Sequence, residues 1–410
     1  MTKYQYTYFI YPYVIDSKKY ETYLLKLLKT KKCHVRIFEK EKDMHLYHYF
    51  LPNIREQMFW SFGLTKKGMK SLEELDCNMQ ATLLAKHPCN IFQYELTKDL
   101  QGKLGEGNGI FFDISEIKIV CYETGICFLV FKTILQDSDN FANVLNFNYK
   151  FREINSDTYH LKEYENIKIQ SDLFKDTKEI SAFIQEITGG SSSAKKLNLD
   201  NEKFITYSYT CLDQHAWNDE VENESIEQEF KKYRAILPEN RQVTDEYQGQ
   251  SFQIFQNRYA RYGFSNNGTV LLTSDIHTEN YTILAQKYES EFLYTYLLVL
   301  YKRLLLKKLN YGFNETSKFK LVEKQFLSFT KDLWIQEITD DEFGKVLIKN
   351  WEDILGVEDI FSKLKNKYDV MYKKFNFEKT EKSNKVLISV ISVIIVFTII
   401  NFILLFHYFL

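Results

Sequence analysis

Hydrophobic positions along this chain change their spacing three times, and each spacing predicts a different kind of element. Residues 4–14 (YQYTYFIYPYV) are aromatic and β-prone, which predicts an opening strand with Pro12 near its end. Ser17 then reads as the cap of a helix through Leu28, with Tyr20, Leu24, Leu27 and Leu28 along one side. A strand is expected over residues 35–38, a helix over 72–84, and strands again from Asn90. Residues 117–134 (IKIVCYETGICFLVFKTI) read as a β-hairpin turning at Glu123-Thr124-Gly125. Residues 204–211 are strand-like, and residues 225–236 form a charged helix. A second hairpin turns at Asn266-Asn267-Gly268, where Asn-Gly suits the positive φ angles of a tight turn. Between them, residues 156–201 are polar and include Gly189-Gly190-Ser191-Ser192-Ser193, the composition of a flexible loop or insertion.

After Asp275 the spacing becomes helical. Residues 280–309 predict one long helix, whose apolar run from Phe292 to Tyr301 ends at Lys302 and Arg303. That run is too short to cross a bilayer and predicts a buried helix. Residues 315–338 predict a second helix with Phe319, Val322, Phe326, Phe329 and Leu333 roughly on one face. A third begins at Asp340 and stops near Gly356, a residue suited to a helix C-terminus. The fourth starts at Val357, and no Pro or Gly interrupts it before Leu410. Within it Val357, Phe361, Leu364, Tyr368, Met371 and Phe375 are spaced 4, 3, 4, 3, 4. That is the seam of a coiled coil, expected here to join subunits; the same face would also serve against the two preceding helices of its own chain.

The last 25 residues, 386–410, contain no Asp, Glu, Lys, Arg, Pro or Gly. As a helix they extend about 37 Å, enough to cross a hydrocarbon core of roughly 30 Å with some tilt. Lys373, Lys374, Lys379, Lys382 and Lys385 precede the span and nothing basic follows it, which places the long N-terminal part in the cytoplasm. The expected organisation is α+β: a cytosolic α/β domain (1–275) with an insertion near 156–201, a helical bundle (276–356), a stalk helix (357–385) and a transmembrane helix (386–410).

Composition adds limits. With 45% hydrophobic and 16% aromatic residues the chain can bury a sizeable core. A net charge of −2 argues against general nucleic-acid binding. Six scattered cysteines without a CxxC pair read as reduced thiols.

Candidate chemistry is sparse. Gly105-Glu106-Gly107-Asn108-Gly109 precedes a strand, residues 110–114, so a phosphate there would lack a helix N-terminus. His45 and His48 lie in an aromatic, strand-like context that would send them to opposite faces. No carboxylate pair or nucleophile motif argues for catalysis, and no enzyme activity is expected. Inside the span, Ser389, Ser392 and His407 fall on one side of a helical wheel and Thr398 and Asn401 on roughly the other. Without a continuous polar stripe, any pore would close as a dry constriction around residues such as Val393, Val396 and Ile400. Asn401 is the costliest polar group there and should bond to a neighbouring helix.

An α/β domain, packed helices and a long helix running into the membrane together resemble the CorA-type magnesium channel family, chiefly over residues 280–410. The family's Gly-Met-Asn signature is absent, since this span ends in LLFHYFL. The resemblance implies a homo-oligomer, a pentamer in that family, whose cytosolic domain controls ion passage or membrane disruption. It implies as input either a divalent cation such as Mg2+ or a signalling nucleotide, and divergent relatives act in antiviral defence. The alternative is a tail-anchored binding module without transport activity.

Overall fold

The structure, a computed structural model, describes residues 1–409 except 97–99, 106–108, 153–166, 171–176, 189–202, 219–223, 245–250, 258, 314–318 and 335. It is α+β, as the hydrophobic spacing predicts. Among the described residues the strands are β1 (Thr2–Val14), β2 (Cys33–Val35), β3 (Cys89–Tyr94), β4 (Leu100–Leu104), β5 (Ile110–Tyr122), β6 (Ile126–Leu135), β7 (Ile167–Gln170), β8 (Lys178–Glu179), β9 (Ile205–Leu212), β10 (Ser251–Asn257), β11 (Ala260–Ser265) and β12 (Gly268–Ser274). They form one sheet in the order β10-β11-β12-β9-β1-β6-β5-β4-β7-β8, with β3 on β5 and β2 on β3. Only β12 and β9 run parallel among these pairs. β5 changes partner along its length: Ile110–Ile114 pairs with β4, and Ile117–Tyr122 pairs with β3.

β1 is central because both of its faces are apolar. Tyr6, Tyr8 and Ile10 enter one core, while Phe9, Tyr11 and Tyr13 enter the other. Pairing with β9 stops at Ile10, before Pro12, which has no N–H to give. The second core is closed by helices Tyr20–Lys29, Cys77–Leu84, Phe141–Phe151, Ile180–Thr188 and Glu224–Ala235. A polar knot crosses this layer. Ser208 Oγ meets Thr7 at 2.6 Å, accepts from Asn148 at 3.0 Å and accepts from Tyr233 at 2.8 Å. The first core is closed by the helices after residue 277, which share it with sheet tyrosines Tyr6, Tyr8, Tyr207 and Tyr209.

Several expectations need correction. Asp16, not Ser17, caps the first helix, accepting from the Lys18 backbone N–H at 3.1 Å. The strand expected at 35–38 is Cys33–Val35; beyond it, the Phe38 N–H leaves the ladder for Ser61 Oγ. The helix expected over 72–84 is two, because the Asp76 carboxylate caps Cys77–Leu84. His45 and His48 sit on a helix, Met44–Tyr49, rather than a strand. The polar stretch 156–201 is partly folded, with Ile167, Ile169, Phe183 and Ile184 buried; Gly189–Ser193 lies outside the described residues.

The second hairpin turns where expected, for a different reason. Neither Asn266 nor Asn267 adopts positive φ. Gly268 opens β12 at φ +156°, and a Cβ there would stand 2.0 Å from the Thr206 carbonyl oxygen of β9. Close approach of the parallel neighbour requires the glycine.

The helix expected over 280–309 breaks at Thr282 (ψ −84°) and contains a π-turn, Tyr288–Phe292, before the core helix Leu293–Gly312. Sheet tyrosines explain this: the Asn280, Ala285 and Tyr288 carbonyls accept from Tyr209, Tyr6 and Tyr207 at 2.8, 2.8 and 2.7 Å. The helix expected over 315–338 is Phe319–Phe329 followed by a second π-turn, Thr330–Trp334. Thr339 instead bridges to Phe50 as a short extended pair. The third helix, Glu342–Ile354, is capped by Asp341, and Gly356 follows at φ +62°. The stalk helix then runs unbroken from Val357 to Phe409.

Candidate functional site

The helix Phe319–Phe329 braces the stalk. Its positions Phe319, Val322, Phe326 and Phe329, three and four residues apart, are all buried. They meet the predicted seam of the same chain. Phe326 lies 5.9 Å from Phe361 and 5.3 Å from Tyr368 between ring centroids, and Phe319 lies 5.3 Å from Phe375. Trp334, at the end of the π-turn, stacks on Phe361 at 3.9 Å. The Tyr368 hydroxyl donates to Glu323 at 3.1 Å, and Lys367 reaches the Asn310 carbonyl at 2.9 Å. Burial, with Glu323 holding the proton, pushes the Tyr368 phenol up to about 12.

The seam is therefore occupied within one chain. Val357 and Leu364 are fully buried, and Phe361, Tyr368, Met371 and Phe375 pack at the edge of the same core. Of the two readings that the spacing allows, this packing is the one against helices of the same chain. Alternating steps of three and four describe any helix packed on a helix, and here the partner is the brace. Lys302, at the end of the buried run, forms an ion pair with Glu352 at 3.1 Å.

Beyond Phe377 the stalk leaves the body. It is the one helix among the described residues long and apolar enough to cross a membrane, and its apolar part is wholly uncovered. Ser389, Ser392, Val396, Thr398, Ile400, Asn401 and His407 are all exposed. The Ser392 and Thr398 hydroxyls donate to the Ile388 and Ile394 carbonyls at 2.8 and 2.7 Å, so neither needs an outside partner. The Asn401 amide makes no such bond.

The brace has a second working side. Leu321, Lys324, Gln325 and Ser328 line a cleft of about 470 Å³, whose far wall is the tip of the β5–β6 hairpin. Tyr122 of that wall stacks on Tyr301 of the core helix at 3.7 Å and 7°. Asp332 faces the cleft from the π-turn; its carboxylate accepts from Ser328 at 2.7 Å and its carbonyl from Gln57 at 2.6 Å. Glu123 stands at the exposed lip, where partial burial and the nearby Asp332 carboxylate push its carboxyl above the usual range. Five stretches of the chain, within 57–58, 88, 122–124, 298–305 and 321–333, build this cleft, and the sequence announced only its hairpin turn.

Among the described residues, no three His, Cys, Asp or Glu side chains gather to hold a metal ion, and His45 and His48 find no third ligand. Residues 106–108 of the glycine-rich loop lie outside the described residues. The six cysteines are unpaired thiols. Comparison with protein-family models, with curated proteins and with solved structures finds no match for this chain.

Proposed function

We propose that this chain is a membrane-anchored sensor. Its body lies in the cytoplasm, and its stalk carries movements of that body into the bilayer. There, associated spans control ion passage or disrupt the membrane. The observation that supports this reading is the unbroken helix Val357–Phe409, gripped by aromatic rings at one end and uncovered at the other. One span cannot enclose a pore, so this reading requires several spans to associate. The unpartnered Asn401 amide is suited to bonding between spans. The lysines before the span favour a cytoplasmic body. A CorA-like pentamer is the fold-level analogy, with a divalent cation or a signalling molecule as input.

The packing of the seam against its own chain favours a second reading, a membrane-anchored binding module, because it leaves less of the stalk's apolar face for a partner. Full-length protein in detergent and in liposomes separates the two. The sensor reading expects a defined oligomeric mass and ion flux. A monomer that leaves vesicles sealed would establish the module instead.

A further inference from the structure

We propose that the cleft between the β5–β6 hairpin and the brace helix binds a small apolar or aromatic molecule carrying one cationic group. This deepens the sensing reading and rests on it only for what binding accomplishes. The volume, about 470 Å³, suits a small organic molecule. Leu298, Leu305 and Leu321 supply apolar lining, and the stacked Tyr122–Tyr301 pair borders it with an aromatic wall. Burying a hydrocarbon or ring there gains the ordinary hydrophobic term.

Charge selects the other end of the ligand. Two carboxylates, Glu123 and Asp332, line the cleft against one lining ammonium, Lys324, while the Lys308 ammonium is engaged by the Thr124 carbonyl at the hairpin tip. Asp332 is fixed by Ser328, whereas the Glu123 carboxylate has no hydrogen bond or ion pair from any described residue. Partial burial and the Asp332 carboxylate disfavour ionisation of Glu123, and a bound cation relieves this. A phosphate-bearing ligand would meet the same two negative charges with one lysine to offset them. The cleft chemistry thus disfavours nucleotides.

Position gives binding a consequence. Leu321, Lys324 and Ser328 lie on the cleft side of the helix whose Phe319 and Phe326 grip the stalk. Asp332 lies two residues before Trp334, which stacks on Phe361. A ligand that displaces this helix or its π-turn displaces the grip.

The test uses full-length protein in detergent, with 2-phenylethylamine and 3-phenylpropionate as probes of equal body and opposite charge. Calorimetry is run on wild type, Glu123→Gln and Leu321→Trp, the last filling the cleft from an exposed position. The proposal expects saturable amine binding about tenfold tighter than that of the carboxylate. It expects Glu123→Gln to remove most of that preference and Leu321→Trp to abolish binding. Equal or tighter carboxylate binding, no saturable amine binding, or indifference to both substitutions would overturn it. None of these outcomes depends on ion flux, so failure here leaves the anchored-sensor reading standing, and sealed vesicles leave the cleft standing.

Discussion

Trp334 stacks flat on Phe361, with ring centroids 3.9 Å apart and planes 11° from parallel. One ring ends the brace's π-turn and the other belongs to the first turns of the stalk, so this pair joins the body to the long helix that carries the candidate span. Trp334→Ala should loosen the stalk while leaving the sheet intact. Beyond buried area, such a pair contributes about 1 kcal/mol. Limited proteolysis should cut faster between Ser362 and Phe375, with little change in thermal unfolding of the body. An unaltered cleavage rate would mean the stack carries no load.

The occupied seam gives a contrasting prediction. Leu364→Asp places an unpaired carboxylate at a position with 1% exposure, at a cost of several kcal/mol. The damage should appear as release of the stalk from its own body, seen by hydrogen exchange over Phe319–Phe329. Any oligomer should persist. Clean dissociation into folded monomers would restore these residues to a subunit interface.

Gly268 tests the sheet. Gly268→Ala drives a Cβ toward the Thr206 carbonyl oxygen, 2.0 Å away, and backbone cannot yield cheaply there. Urea unfolding should show a loss of at least about 2 kcal/mol. A near-neutral result would contradict the close β9–β12 register.

Alkali should reveal the buried tyrosines. Burial pushes Tyr6, Tyr8, Tyr207, Tyr262 and Tyr288 well above the ordinary phenol value. These groups bind their protons more tightly folded than unfolded. Their contribution is fully present below the unfolded value of about 10 and is lost as pH rises through the folded values. Absorbance at alkaline pH should show exposed phenols ionising first, and the buried set only as the fold is lost. One smooth titration near the ordinary value would contradict the packing.

How far this was legible follows from what each signal measures. The hairpin at Glu123-Thr124-Gly125, the stop at Gly356 and the long final helix are local in origin, and each stands where expected. Residues 280–309 misled because the break at Thr282 is imposed by Tyr209, Tyr6 and Tyr207, far away in the chain. The π-turn at Thr330–Trp334 has no Gly or Pro to announce it. The seam was visible but its partner was not, since the spacing of apolar residues on a helix does not identify the facing helix. The cleft left little signal because Tyr122, Tyr301 and Asp332 come together only through the fold.

If associated spans form a gate, its closed state should be a dry ring of apolar side chains. Val396→Ser with Ile400→Ser lowers the barrier to water and should produce constitutive leak from liposomes. Tight vesicles with verified, inserted protein would count against a pore and favour the membrane-anchored module.

The central claim is that one rigid helix runs from the grip of the body into the bilayer. Spin labels at Ser362 and Lys382, both exposed, measure it directly in reconstituted membranes. At about 1.5 Å per residue an unbroken helix sets the backbone separation near 30 Å. A single narrow distance distribution around that value is the predicted result. A broad or much shorter distribution would show a joint between Ser362 and Lys382, and the stalk could not then transmit movement.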